Sequence, residues 1–278
     1  MLGHRLLTTL QDHHEVQATL RQPLAAYRSW PVFSDRNAIG SVDVQDWPRL
    51  AQIVREARPG AVINCVGVIK QRKDAVSQAA LTVEINALLP HRLRDLCAEV
   101  GARLIHFSTD CVFSGRNGHY REVDEPDATD LYGRSKLLGE VHEGPGLTIR
   151  SSIVGLELSR KTGLVEWFLA QRGTIRGFRR AIFTGVTTAE MARFVAHVLG
   201  EHRDLNGVWQ LASAPISKYD LLKSLSQKLG RTDVEIVPDD DFFCDRSLDA
   251  TRLRQMIGYE PPSWDAMLAE LADEVARR

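Results

Sequence analysis

The sequence predicts a doubly wound α/β fold built on a parallel sheet, and three observations carry that prediction. The run Ala61 to Val66 is apolar on both faces, as a strand buried within a parallel sheet must be. Helical and strand-like stretches alternate from residue 41 to residue 150. Polar or small residues stand where successive runs end, at Val66-Gly67, Ser108-Thr109 and Arg150-Ser151-Ser152. Ligands of such sheets sit beyond the carboxyl ends of the strands.

In chain order, Met1 to Leu10 reads as a helix, with Leu2, Leu6, Leu7 and Leu10 at helical spacing. His13-His14-Glu15 is a polar turn, and Val16 to Leu20 is a short strand ending at Arg21. Gln22 to Asn37 holds Pro23 and Pro31 without a period and reads as loop. Ser41 to Val44 reads as a second short strand, after which Asp46 caps a helix that turns Trp47, Leu50, Ile53 and Val54 inward. Pro59-Gly60 closes it, and the strand Ala61 to Val66 follows. A helical stretch from about Asp74 to Val100 carries Leu81, Ile85, Leu88, Leu89, Leu93 and Leu96, with Pro90 kinking or breaking it. Gly101 ends it before the strand Arg103 to Ser108. A helix opens at Tyr132, and Leu147 to Arg150 is the next strand. Further helices are expected at Gly163 to Ala170, Thr188 to Leu199, Ser217 to Leu229, Ala250 to Ile257 and Ser263 to Ala276. Short strands are expected at Val208 to Leu211 and Val234 to Val237. Residues 1–158 form the main domain, and 159–278 a smaller region with segments returning to the main sheet.

The 278 residues are 44% hydrophobic and carry a net charge of -1, so no basic field is available to hold nucleic acid. Cys65, Cys97, Cys111 and Cys244 lack Cys-x-x-Cys spacing, which points to reduced thiols rather than a disulfide framework or a zinc site, and no metal is expected. No apolar run is long enough to span a bilayer, and no signal-peptide pattern stands at the N-terminus. The expectation is a cytoplasmic chain without membrane partners, with a homodimer admitted but not required.

The chemistry concentrates between Leu104 and Glu140. Ser108-Thr109 ends a strand, and Tyr132 and Lys136 lie four apart on one face of the following helix. A second Tyr-x-x-x-Lys, Tyr219 to Lys223, lies within an amphipathic stretch with Leu221, Leu222 and Leu225, and no hydroxyl-bearing strand end precedes it; it reads as packing. At the first site a lysine ammonium one turn away would lower the phenol pKa from its ordinary value of about 10. Tyrosine would then give its proton to a carbonyl oxygen that the Thr109 hydroxyl holds in place. A hydride must come from a cofactor.

These residues resemble the extended short-chain dehydrogenase/reductase family, and within it the dTDP-4-dehydrorhamnose reductase group. The resemblance rests on Val62-Ile63-Asn64-Cys65-Val66-Gly67, on Ser108-Thr109-Asp110-Cys111-Val112-Phe113-Ser114-Gly115, on Tyr132-Gly133-Arg134-Ser135-Lys136-Leu137-Leu138-Gly139-Glu140, and on Arg150-Ser151-Ser152-Ile153-Val154-Gly155, in that order. It implies a Rossmann-type sheet with a smaller C-terminal substrate region, and Thr109, Tyr132 and Lys136 as the catalytic trio. It implies that Asp43-Val44 lies near the adenine, that Asn64, Cys65 and Val66 line the cofactor cleft with Asn86 behind, and that Arg150 to Ser152 pass near the nicotinamide. Val68, Asp110, Cys111 and Ile153 are expected on the substrate side, and Arg246 is expected to meet a diphosphate or to cap the last helices. The strand Val16 to Leu20 ends at Arg21 with no acid among Gln17 to Gln22, which favours NADPH over NADH.

The chain departs from the family pattern in several places. The opening Met1-Leu2-Gly3 looks like the tail of a glycine turn, with Gly3 as its last glycine and the first strand absent. The expectation is that Met1 is an internal methionine of a longer native chain. Ile153 and Cys111 stand where the rhamnose-pathway reductases resemble one another in tryptophan and tyrosine, and a late Arg-Pro pair gives way to Phe243-Cys244-Asp245-Arg246-Ser247-Leu248-Asp249. The expected activity is NADPH-dependent reduction of a nucleotide-linked 4-keto-6-deoxy sugar for surface polysaccharide. The alternatives are a sugar-nucleotide epimerase or dehydratase that retains NAD, and a non-catalytic NADP-binding regulatory subunit.

Overall fold

The computed structural model describes residues 1–69, 78–159 and 161–278. Helix α1 (Leu2–Leu10) buries the four leucines that its spacing aligns. Strands β1 (Ala18–Thr19) and β2 (Ala38–Ile39) pair in parallel. The strand expected at Ser41 to Val44 is therefore displaced toward the N-terminus. Gly40 packs its α-carbon onto the Pro23–Leu24 backbone, Ser41 turns the chain with φ 57°, and Val42 is left as a single buried anchor. Helix α2 (Trp47–Ala57) starts as expected, Asp46 Oδ1 accepting from the Arg49 N–H at 3.2 Å.

Strand β3 (Ala61–Asn64) leads toward α3 (Ala79–Val83), a turn of π-helix at Glu84–Leu88, and α4 (Leu89–Val100). The predicted helix from Asp74 is thus interrupted, and its residues 74–77 lie outside the described residues. The wide turn immediately precedes Pro90, which has no N–H to continue the regular ladder. Next come β4 (Arg103–Phe107), α5 (Leu131–Leu138), β5 (Gly146–Arg150), β6 (Ile153–Val154) and α6 (Leu164–Leu169). The remainder is β7 (Gly173–Phe178), β8 (Ala181–Phe183), β9 (Val186–Thr187), α7 (Thr188–Glu201), β10 (Gly207–Gln210), β11 (Ile216–Ser217), α8 (Lys218–Lys228), β12 (Val234–Asp239), β13 (Cys244–Asp245), α9 (Thr251–Ile257) and α10 (Trp264–Ala276).

The main sheet has the order β10-β5-β4-β3 and is parallel throughout. Successive residues of β4 serve opposite layers. Leu104 joins Val42, Leu50, Ile53 and Leu93 on the face covered by α2 and α4. Ile105 joins Leu2, Leu6, Val198 and Leu268 on the face covered by α1, α7 and α10. Helices on both faces make the sheet doubly wound. β10 returns to its edge beside β5, as expected of a later segment. Among the described residues β1 and β2 form a separate ribbon, not hydrogen-bonded to β3. The later strands form three small sheets, β11-β8-β13, β12-β7 and β6-β9. One apolar core runs from Leu2 through Ile105 and Leu147 to Leu221 and Leu271, so the later region shares its interior with the main sheet. Among the described residues no helix is long and apolar enough to cross a membrane.

The π turn sets the position of α5. A Cβ on Gly139 would fall on the backbone carbonyl of Asn86, within that turn. Gly139→Ala is therefore expected to cost about 1–3 kcal/mol by overpacking, read as a lowered urea midpoint at unchanged slope.

Candidate active site

Strand β4 delivers Ser108 and Thr109 to the carboxyl end of the sheet. Thr109 Oγ1 accepts from the Cys111 N–H at 3.1 Å, which opens a short 3₁₀ turn at Asp110–Val112. The hydroxyl can donate to Asp110 Oδ1, also at 3.1 Å. Helix α5 is capped by Asp130, whose Oδ1 accepts from the Gly133 N–H at 2.9 Å. Gly133 lies so close to the Cys111 carbonyl that a Cβ there would collide with it. This contact brings Tyr132 against the turn, where the Thr109 hydroxyl stands close enough to favour the ionised phenol.

Burial pushes the Tyr132 phenol above its usual range, the neighbouring Cys111 and Asp110 adding to the effect and the Thr109 hydrogen bond opposing it. The expected lowering by Lys136 is not found. The Lys136 amine turns inward, donating to the Phe107 carbonyl at 2.6 Å. Burial lowers its pKa to about 8, against the pull of Glu140. His106 Nε2 lies 3.4 Å from Lys136 Nζ, and His106 Nδ1 lies 3.2 Å from Asn64 Nδ2. Burial, with Lys136 and His91 beside it, drives the His106 pKa well below its ordinary value, so the ring is neutral at neutral pH. Asn64 Oδ1 in turn accepts from the Val66 N–H at 3.1 Å. A polar chain therefore crosses the strand ends from Val66 through Asn64 and His106 to Lys136.

Behind this chain, Arg150 corrects the sequence expectation. Its Nε and Nη2 donate to Glu140 Oε1 and Oε2 at 2.8 and 2.7 Å, and Ser108 Oγ donates to the same Oε1 at 2.6 Å. The guanidinium is buried and its fork is taken up by a carboxylate, so it supports the site from within rather than reaching a cofactor. Asn64 is likewise buried and holds the turn at Val66 instead of lining a cleft with its amide. Asn86 sits behind as expected, gripping both the N–H and the carbonyl of Val68 at 2.9 Å and donating to Ser135 Oγ at 3.1 Å.

Toward the start of the chain, Gly3 in the first turn of α1 faces Cys65; a Cβ on Gly3 would lie 3.6 Å from Cys65 Cβ. Among the described residues no side chain caps α1, and its first turn stands beside Cys65, which precedes the exposed Val66 and Gly67 after β3. This cradle fits the pyrophosphate of a dinucleotide. Arg21 and Asp43 are brought together: Arg21 Nε donates to Asp43 Oδ2 at 3.2 Å, both are exposed to solvent, and Val44 lies half-buried beside them. A surface pair of this kind is worth less than about 1 kcal/mol, so either partner is free to take a ligand instead.

On the other side of Tyr132, Asp110 is buried and Cys111 half-buried, its thiol pushed up to about 12 by burial. Arg246 donates through Nε to the Phe113 carbonyl at 2.8 Å, and its Nη1 lies 3.7 Å from Cys111 Sγ. Val68 is buried under the grip of Asn86, and Ile153 lies in β6, half-buried and packed on the main core, so neither side chain stands beside Cys111 and Arg246 in the open part of the site. Sequence reasoning missed His106, Glu140 and Lys218. Lys218, at the start of α8, interacts with Asp110, Cys111, Cys244 and Arg246. Its signal was in view, since it directly precedes the Tyr219 of the second Tyr-x-x-x-Lys.

Fold and site together define a Rossmann-type α/β protein with a Thr-Tyr-Lys cluster at the carboxyl end of its sheet. The chain belongs to the family described as the RmlD substrate binding domain, which matches residues 1–277. It is similar to a dTDP-4-dehydrorhamnose reductase of Mycobacterium tuberculosis, 40% identical over 103 residues that make up 35% of this chain and 33% of that one. It is also similar to the methionine adenosyltransferase 2 subunit beta of Bos taurus, 33% identical over 118 residues, 41% of this chain and 32% of that one. The matched stretches thus span about a third of the length of these relatives. Among solved structures, the dTDP-4-dehydrorhamnose reductase of Bacillus anthracis in complex with NADP shares the fold with a TM-score of 0.75 at 20% identity, over 94% of this chain and 100% of that one.

Burial of Lys136 has a consequence for stability. Its folded pKa of about 8 lies below the unfolded value of about 10.4, so the unfolded chain binds the proton more tightly. The penalty is fully present below pH 8 and is relieved as pH rises from about 8 to about 10.4. Chemical denaturation across that window is expected to show a rise on the order of 3 kcal/mol from this group, and Lys136→Met is expected to flatten it.

Proposed function

We propose that the chain uses NADPH to reduce a sugar carbonyl in a nucleotide-linked 4-keto-6-deoxy sugar. The observation that carries this reading is the placement of Thr109 at the end of β4 beside Tyr132 in the first turn of α5, with buried Lys136 one helical turn on. NADPH, when bound, supplies the hydride. The N-terminus of α1 and the backbone from Cys65 to Gly67 would hold its pyrophosphate, and Arg21 its 2′-phosphate. Tyr132 Oη donates the proton to the developing alkoxide, and burial keeps it protonated until that moment. Thr109 Oγ1 orients the same oxygen. Lys136, with a pKa near 8, sits close enough to neutrality to exchange a proton and to stabilise the phenolate left behind. Residues 1–158 would hold the cofactor, and 159–278 would contribute the far side of the substrate site through Lys218 and Arg246.

The family and the reductases among its relatives support a reductase over an epimerase, and stoichiometry tests it. One NADPH is expected to be consumed per sugar reduced, followed at the nicotinamide absorbance; interconversion without net consumption would refute reduction. Tyr132→Phe is expected to lower kcat by about 10²- to 10⁴-fold while leaving NADPH affinity intact. Arg21→Ala is expected to weaken NADPH, but not NADH, by about tenfold or more, measured by fluorescence titration. Equal loss for both cofactors would remove Arg21 from the 2′-phosphate.

A further inference from the structure

The three-stranded sheet β11-β8-β13 assembles a feature that the reaction leaves unexplained. β11 runs antiparallel to β8, with Ile216 opposite Phe183 and Ser217 opposite Ile182. β13 runs parallel to β8, with Asp245 opposite Ile182. The residue after β11 is Lys218, the last residue of β8 is Phe183, and the residue after β13 is Arg246. Continuing these registers sets Lys218 opposite Ala181 and Arg246 opposite Phe183, so three residues from distant parts of the chain share one face of the small sheet, and Arg246 reaches Cys111.

Lys218 is unusual there. Its amine lies 3.4 Å from the centroid of the Phe183 ring, within cation–π range. The side chain is half-buried, yet among the described residues it has no carboxylate within ion-pair distance and no hydrogen-bond acceptor. An ammonium removed from water without an acceptor is costly, and one aromatic face offsets only part of that cost. Arg246 stands close enough to repel it. Arg246 is itself anchored through Nε on Phe113 and Nη1 on Cys111, and among the described residues Nη2 has no partner. The nearby carboxylate, Asp110, is engaged by Thr109 and leaves the two cations undercompensated. Two anchored cations facing one carboxylate form a site for a dianion.

We propose that Lys218 and Arg246 together bind the diphosphate of the nucleotide-linked substrate, so that Lys218 is a specificity-determining residue for nucleoside diphosphates. This rests on the reduction proposed above and gives it a direction. Arg246 reaches Cys111, whose N–H is bound by Thr109, whereas Lys136 and Asn64 are held by His106. The diphosphate points toward β8 and β13 while the carbonyl meets Tyr132. Arg21, beyond β1, remains available to a cofactor phosphate at the other end.

The test is calorimetric titration of the full chain with deoxythymidine diphosphate alone, at low and high salt. Lys218→Met is expected to weaken binding about tenfold or more and to reduce its salt dependence, while Lys223→Met, one turn further along α8, binds like the wild type. Removing an uncompensated buried charge is expected to leave Lys218→Met at least as heat-stable as the wild type; a purely structural lysine would lower the melting temperature instead. The diphosphate is expected to raise the melting temperature of the wild type and not that of Lys218→Met. Equal binding by wild type and Lys218→Met, or no binding by the wild type, overturns the subsite. Reduction with an unchanged KM in Lys218→Met overturns the subsite and leaves the reduction standing. Lys218-dependent diphosphate binding without any NADPH consumption leaves the subsite standing and removes the reduction.

Discussion

The buried ion pair between Glu140 and Arg150 is the constraint on which the rest of the site depends. One carboxylate, sealed from water, accepts two guanidinium bonds and the hydroxyl of Ser108. Those three residues stand at the ends of β5, α5 and β4, and the last two elements carry the candidate Thr-Tyr-Lys cluster. Isolated, either charge would cost several kcal/mol to bury, and together they roughly break even against an apolar filling. What the pair supplies is therefore position rather than stability. It draws the end of α5 onto the strand ends and so fixes how deep Lys136 lies. The stacking of Phe113 on Tyr120 and the placement of Arg150 over the Phe113 ring extend the same arrangement toward Arg246.

The depth of Lys136 accounts for its chemistry. At the surface its ammonium would stay fully hydrated. Inside, it trades water for the Phe107 carbonyl and one edge of His106, which is too little to hold a full charge firmly. Burial moves Tyr132 in the opposite direction, because it is the deprotonated phenol that carries charge. One low-dielectric environment thus moves phenol and ammonium apart in proton affinity, so that the phenol keeps its proton while the amine gives its own up more readily.

Much of this was legible in the sequence, and the parts that were not have physical reasons. Apart from the interrupted stretch from Asp74, the long periodic segments are found where expected, as is the capped start of α2, because local spacing and side-chain caps decide them. That Thr109, Tyr132 and Lys136 gather at the end of β4 was legible because strand-end hydroxyl and helix start are both local patterns. Ser41 to Val44 failed because the backbone crowding at Gly40 is a tertiary effect. Strands of two or three residues, such as β8, β11 and β13, show no period and exist only through their partners. Arg150 was assigned to the cofactor because a sequence shows an arginine at a strand end without showing that Glu140 occupies its fork. Lys218 was overlooked for the converse reason, since nothing local separates an unpaired buried lysine from a solvated one.

The two Tyr-x-x-x-Lys stretches make that point within one molecule. On α8, Lys223 Nζ lies 3.4 Å from Tyr219 Oη, so this lysine meets its own tyrosine across one turn, as helical spacing allows. The pair faces a shallow surface cleft shared with Arg231 and Ile236, away from Thr109. On α5, Lys136 is held by the Phe107 carbonyl, while the Thr109 hydroxyl is the group that acts on the Tyr132 phenol. Satisfying each other leaves the α8 pair with no unused chemistry. Each residue of the α5 pair is instead held by a strand-end group, so phenol and amine remain separately addressable by a ligand lying between them. The helix supplies only the spacing; the end of β4 makes it a site.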